Sequence, residues 1–276
     1  MTRRAGKAKS WRRFSRRAVE NANKTWRAFA FGGFVIVLNL KAYEASTGEK
    51  GFLLAKQARE CASMANKRVI LCPSQLDVLD YARRLQQFNE FMIFSQGADA
   101  NGYGAFTGSV SPAQLAAAGV SGVLLNHAER KLKPEVLKAT VKECKKHGLV
   151  MIICADSVAE CKRCAALAPY AVAYEPPELI GKGLSVSKAK PAVVQQAAKA
   201  VKKINRRVLV LVGAGVSNAT DVNKSFELGA DGVLLASAFA KATDAKAFLN
   251  SLLEQCPKRP LCCEAGTCEA CGKFKA

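Results

Sequence analysis

From Phe34 to about Gln255 the chain alternates short apolar runs with longer segments in which apolar positions recur every three or four residues. The short runs fall at 34–40, 68–72, 91–95, 122–126, 149–154, 170–174, 207–212 and 232–236. Most are uninterrupted Val, Ile, Leu, Ala and Cys rather than alternating apolar and polar residues, as expected for parallel strands buried on both faces. The segments between them, such as Pro134 to His147 and Lys190 to Asn205, read as helices. Pro134 and Pro191 suit first-turn positions, and Gly148 suits a stop just past a helix end. Eight strand-plus-helix units over residues 34–255 predict an α/β fold, a compact (β/α)8 barrel. An open doubly wound sheet would place a glycine-rich turn after its first strand. Here that turn is Ala42-Tyr43-Glu44-Ala45-Ser46-Thr47-Gly48, which is no dinucleotide fingerprint.

Three of these runs end on chemistry. Lys41 follows Val35 to Leu40, His127 follows Gly122 to Asn126, and Glu175 follows Tyr170 to Tyr174. A cation, an imidazole and a carboxylate at the C-terminal ends of parallel strands form a set suited to proton transfer. Each has a bland reading alone: a solvated lysine, a structural histidine, a carboxylate that ends a strand. Their order on separate strands of one barrel favours a site. His147, near the end of a predicted helix, serves as a contrast and reads as a helix-terminal residue.

Several longer motifs agree. Asn39-Leu40-Lys41, Thr107-Gly108, Asn126-His127-Ala128-Glu129-Arg130 and Glu175-Pro176-Pro177-Glu178-Leu179-Ile180-Gly181-Lys182-Gly183 occur in this order. Gly213-Ala214-Gly215-Val216-Ser217 and Leu234-Leu235-Ala236-Ser237 follow. Over residues 34–255 the chain resembles the triosephosphate isomerases, most closely the short archaeal type. The resemblance implies a TIM barrel that interconverts dihydroxyacetone phosphate and glyceraldehyde 3-phosphate through an enediol or enediolate, in glycolysis and gluconeogenesis. It implies Glu175 as base, His127 as electrophile and Lys41 as electrostatic stabiliser, with Asn39 orienting Lys41. Backbone N–H groups at Gly181, Gly215, Ala236 and Ser237 would hold the phosphate. The stretch 176–183 would form a lid in which Ile180 sheds water, and Thr107 would reach a neighbouring subunit. The family needs no cofactor for catalysis and forms homodimers or, in archaeal members, homotetramers. Two positions depart from its pattern: Ala128, where serine is common after the histidine, and Ser109, where glutamate often follows Thr-Gly.

Charge and cysteine content modify this picture only at the ends. The net charge is +20, but ten basic residues and one acid lie in residues 1–33. The rest, 32 basic and 21 acidic residues, is spread over predicted helix faces, where a positive field also attracts small anions. Residues 1–33 thus read as a basic, disordered extension or as residues upstream of the true start. A nucleic-acid or anionic-surface contact, with Trp11, Phe14 and Trp26 among arginines, and a transit-type peptide stay open beside that reading. Residues 256–276 form a Cys-rich tail. There Cys256, Cys262, Cys263, Cys268 and Cys271 could supply thiolates to a structural zinc, or be redox-active or simply reduced. Cys161-x-x-Cys164 reads as helix packing. No apolar run has the ~18 residues of a membrane span, and the expected location is the cytoplasm. Two other functions would fit a barrel: turnover of a different sugar phosphate, or nucleic-acid binding without catalysis. The first would need another base or a metal set, which the sequence does not offer.

Overall fold

In a computed structural model, which describes residues 33–176 and 191–257, the eight apolar runs become eight strands. They are β1 (Val35–Asn39), β2 (Arg68–Cys72), β3 (Phe91–Ser95), β4 (Gly122–Leu125), β5 (Val150–Ala155), β6 (Ala171–Tyr174), β7 (Leu209–Val212) and β8 (Gly232–Leu235). All pair in parallel and in chain order, and β8 closes on β1 through Val35–Gly232 to Leu38–Leu235. The run at 207–212 yields a strand only from Leu209, because the Arg207 N–H is held by Asn205 Oδ1 and the Val208 N–H by Asn205 O. The basic extension, the lid with Ile180 and Gly181, and Cys262, Cys263, Cys268 and Cys271 lie outside the described residues.

Between strands run α1 (Gly48–Ala65), α2 (Val78–Arg84), α3 (Pro112–Ala117), α4 (Pro134–Lys146), α5 (Val158–Ala166), α6 (Pro191–Ile204) and α7 (Ala219–Glu227). A short α8 (Ser237–Ala240) and then α9 (Ala245–Glu254) follow β8. Local chemistry sets several helix starts. Ser111, Ser157, Asn218 and Asp244 each accept a backbone N–H of the first turn, which satisfies a donor the helix cannot pair internally. Pro134 and Pro191 begin their helices, and Gly148 follows α4 at φ +70°. His147 caps α4 and bonds Glu143 at 3.1 Å, so the contrast residue is indeed helix-terminal.

The two-residue period of a strand sorts side chains into two cores. Val35, Val37, Ile70, Met92, Phe94, Leu124, Ile152, Cys154, Ala173 and Leu211 fill the barrel. Ile36, Leu38, Val69, Ile93, Val123, Leu125, Ile153, Val172 and Val210 face the helices. Cys161 and Cys164 belong to this outer core. So does Cys256, just past α9, whose thiol faces Leu252 O at 3.6 Å. Burial pushes that thiol up to about 12. Of the five cysteines expected to be able to hold zinc, Cys256 alone lies among the described residues, packed in the outer core with its thiol kept protonated by burial. Among the described residues no cluster of three or more potential metal ligands occurs, and no helix is long and apolar enough to cross a membrane.

Packing is also close where β8 meets β1 and β7 at the end opposite the candidate site. A Cβ at Gly232 would meet Val35 O, Val35 Cγ1 at 2.6 Å and Leu211 Cδ2 at 2.8 Å. Gly232→Ala should lower unfolding stability by about 1–3 kcal/mol, the usual cost of overpacking. Urea unfolding monitored by circular dichroism would show the reduced midpoint.

Candidate active site

Strand parity delivers the first carboxylate. Ala171 and Ala173 point into the barrel, and Glu175 continues that row one residue past β6. The residue is 2% exposed. Its Oε2 accepts the Ala128 N–H at 3.2 Å, while the buried Oε1 lies 3.4 Å from His127 Nε2 and makes no short hydrogen bond among the described residues. Gly213 makes room for it, since a Cβ there would sit 2.6 Å from Glu175 Cγ. Burial raises the Glu175 pKa to about 7. The Cys154 thiol, the Ala128 N–H, Lys131 and Lys41 favour the charged form without cancelling that penalty.

The imidazole arrives by a different route. Leu124 faces inward and Leu125 outward, so an extended continuation would send His127 toward the helices. Asn126 breaks the row with φ +59°, a left-handed conformation that asparagine tolerates better than most residues. His127 Nδ1 then accepts the Glu129 N–H at 3.2 Å. That bond assigns the remaining proton to Nε2, the nitrogen beside Glu175. Burial lowers the His127 pKa; Glu129 opposes the shift, whereas Lys41 and Lys131 reinforce it. The ring is thus a neutral donor aimed into the barrel mouth.

Lys41 occupies the other side, also in a left-handed conformation at φ +51°. Its N–H is held by Asn39 Oδ1 at 3.0 Å and its carbonyl by Gln96 Nε2 at 3.0 Å. Asn39 is the last inward residue of β1, so it pins the turn that carries Lys41. The ammonium meets Glu129 at 2.7 Å, and Glu129 also lies 3.6 Å from His127 Nδ1. A chain of contacts therefore links Lys41, Glu129, His127 and Glu175.

Gly215 and Ala236-Ser237 stand just beyond β7 and β8, which are neighbours in the barrel. Gly215 has φ +72°, and Ala236 precedes the short helix α8. The small residues of these turns leave backbone N–H groups accessible to an anionic group, and a phosphate seat after strands seven and eight is common in such barrels. Thr107 lies apart from these groups, exposed on the loop 101–110 after β3. The base of that loop is closed by Asp99 N–H to Val110 O and Val110 N–H to Asp99 Oδ2. Tyr103 and Phe106 stand exposed at its tip, 69% and 51% accessible.

Comparison with known proteins shows the family of the chain. A family model described as triosephosphate isomerase matches residues 34–253. A triosephosphate isomerase of Methanopyrus kandleri is 40% identical over 218 residues, 79% of this chain and 96% of the relative. One from Archaeoglobus fulgidus is 41% identical over 219 residues, covering 79% and 96%. One from Methanocaldococcus jannaschii is 36% identical over 220 residues, covering 80% and 99%. The chain belongs to the triosephosphate isomerase family. Ala128 has no side-chain hydroxyl, and it meets Glu175 through its backbone N–H.

Some residues at this triosephosphate isomerase site were not singled out from the sequence. Gln96 also bonds Cys72 O, so one amide ties β2, β3 and the Lys41 turn together. Cys154 is an ordinary core cysteine by pattern, yet its thiol faces Glu175. Glu160 and Lys131 gather behind Asn126. The Ser157-x-x-Glu160 spacing at the start of α5 was the readable signal for Glu160.

The raised Glu175 pKa has a thermodynamic consequence. Between pH 4.5 and about 7 the folded chain holds a proton that the unfolded chain releases, so this group costs stability as pH rises through that window. The stability difference of Glu175→Gln relative to wild type should increase by up to about 3 kcal/mol between pH 4 and pH 8. Denaturant unfolding of both proteins at the two pH values checks this. An unchanged difference would mean that burial does not raise the carboxylate.

Proposed function

We infer that the chain interconverts dihydroxyacetone phosphate and D-glyceraldehyde 3-phosphate. The observation that carries this reading is a buried carboxylate with a raised pKa beside a neutral imidazole Nε2–H at the barrel mouth. Triosephosphate isomerases are themselves the standard example of that division of labour.

A C–H proton next to a carbonyl is weakly acidic, and the base that removes it must return it to the adjacent carbon. Glu175 suits the task because its desolvated carboxylate holds a proton more firmly than an ordinary one and is ionised at neutral pH in a substantial fraction of molecules. As the proton leaves, negative charge gathers on the substrate oxygen. The His127 Nε2–H donates to that oxygen, and the Lys41 ammonium lowers its energy further. Reversing the roles on the neighbouring carbon completes the isomerisation. Only proton movements are involved, and these side chains supply them without a cofactor.

The phosphate would rest on backbone N–H groups at Gly215, Ala236 and Ser237, joined by Gly181, while Ile180 excludes water from the enediolate. Asn39 orients Lys41 through the turn it pins. Thr107, on its projecting loop with Tyr103 and Phe106, would insert into a second copy of the chain, in a homodimer or homotetramer. The same reading assigns residues 34–255 to the catalytic barrel and places the protein in the cytoplasm, serving glycolysis and gluconeogenesis. The basic residues 1–33 are left as the segment through which nucleic acid would bind. Any zinc in the tail would fall to Cys262, Cys263, Cys268 and Cys271.

The test is a coupled assay in both directions with the full chain and with Glu175→Gln. Wild type should turn over, and the variant should lose kcat by roughly 1,000-fold, within the range that general bases contribute. Turnover that survives the substitution would reassign the base. No turnover by the folded, assembled wild type would sink the substrate assignment.

A further inference from the structure

Behind the imidazole lies a polar cluster that takes no part in the proton transfers described above. Asn126, 2% exposed, directs its side chain away from the barrel mouth. Its Oδ1 accepts the Leu132 N–H at 2.9 Å. Its Nδ2 donates to Cys154 O at 2.8 Å and to Glu160 Oε1 at 2.9 Å. Both amide N–H groups and one lone pair of the oxygen are thereby engaged, by β5, by α5 and by the chain leading into α4.

Glu160 is held as closely. It sits in the first turn of α5, where the Ser157-x-x-Glu160 spacing ordinarily turns the carboxylate back onto the helix cap. Here Ser157 Oγ does accept the Glu160 N–H at 3.2 Å. The carboxylate, however, reaches past the cap residue. Oε2 accepts the Asp156 N–H at 2.8 Å and the Lys131 ammonium at 2.6 Å, leaving Oε1 for Asn126. Lys131 is held in turn by Asp156 Oδ2 at 3.0 Å. A carboxylate that is only 9% exposed persists because each oxygen has a donor and one donor is charged.

We propose that Glu160 is a positioning residue for His127: anchored by Lys131, it clamps the Asn126 side chain and so holds the left-handed turn that swings the imidazole into the barrel mouth. The proposal rests on His127 acting as the electrophile in the reading above. Asparagine tolerates φ +59° better than most residues but also samples extended backbone readily, so the bonds to its amide decide how firmly this turn is held. Without the clamp, Asn126 can relax toward the extended backbone of β4, and that relaxation turns His127 away from the substrate oxygen. Neither Glu160 nor Lys131 needs to touch substrate for this effect.

The experiment compares wild type, Glu160→Ala, Glu160→Gln and Asn126→Gly with and without Glu160→Ala. Each is measured as full-length protein, with kcat expressed per folded site. Glu160→Ala should lower kcat about tenfold with KM within about twofold, because a displacement near 1 Å can cost on the order of 100-fold. Glu160→Gln keeps one oxygen for the Asn126 amide but turns its NH2 toward the Asp156 N–H and the Lys131 ammonium, so its kcat should fall between those of wild type and Glu160→Ala. Glycine adopts a positive φ without help, so in the Asn126→Gly background the Glu160→Ala loss should shrink to less than about threefold. The His127 ring 1H–15N resonance should move further in Glu160→Ala than in Glu160→Gln, whether or not the protein turns over triose phosphates. That readout separates failure of this proposal from failure of the substrate assignment. If Glu160→Ala does not fold, Asn126→Ala decides: a kcat-specific loss supports the clamp and an unchanged kcat overturns it. The proposal also falls if Glu160→Ala lowers only the melting temperature, if the glutamine variant is as impaired as alanine, or if the loss is undiminished with glycine at position 126.

Discussion

The site is organised around one carboxylate carried to the inside of the barrel end. Because side chains alternate along a strand, the row that packs Ala171 and Ala173 into the interior also carries Glu175 there. Out of water, a carboxylate holds its proton more tightly, and here that penalty outweighs the donors and cations around it. The same burial keeps His127 neutral, and Glu129, itself half paired to Lys41, fixes which ring nitrogen carries the proton. Base strength and electrophile state therefore share one physical cause: both groups stand where solvent is scarce.

Strand parity alone would not assemble the rest. Lys41 and Asn126, each at the end of a strand, adopt left-handed conformations that non-glycine residues rarely take. Asn39 and Gln96 hold the first turn, and Cys154 O, Leu132 N–H and Glu160 hold the second. Strain at the rim is thus stabilised by hydrogen bonds from adjacent strands and helices. The barrel below is apolar and tightly packed, which gives those bonds a rigid base. The turns after β7 and β8 use small residues instead, so that backbone rather than side chains would meet an anionic ligand there.

Most of the architecture was legible in the chain. Continuous apolar runs marked buried parallel strands, and prolines, serines and glycines marked the helix ends. The strand-end positions of Lys41, His127 and Glu175 could be read because each chemical group closes an apolar run. Gln96 and Glu160 could not be read in the same way. Their roles depend on which carbonyl or amide lies across a strand boundary, and that is fixed by barrel register rather than by local sequence. Cys154 matched the inward apolar pattern and so concealed its contact with Glu175. Cys256 misled in the opposite direction: spacing grouped it with the tail cysteines, whereas packing past α9 buries it in the core.

The account stands or falls on the ionisation states that burial imposes at the barrel mouth. The most direct measurement is an NMR titration of the wild-type chain, with the carboxyl of Glu175 labelled with 13C and the ring of His127 with 15N. The account predicts a Glu175 midpoint about 7 and a His127 ring that is neutral at pH 7, protonated on Nε2. A Glu175 midpoint near 4.5, or an imidazolium at neutral pH, would contradict it.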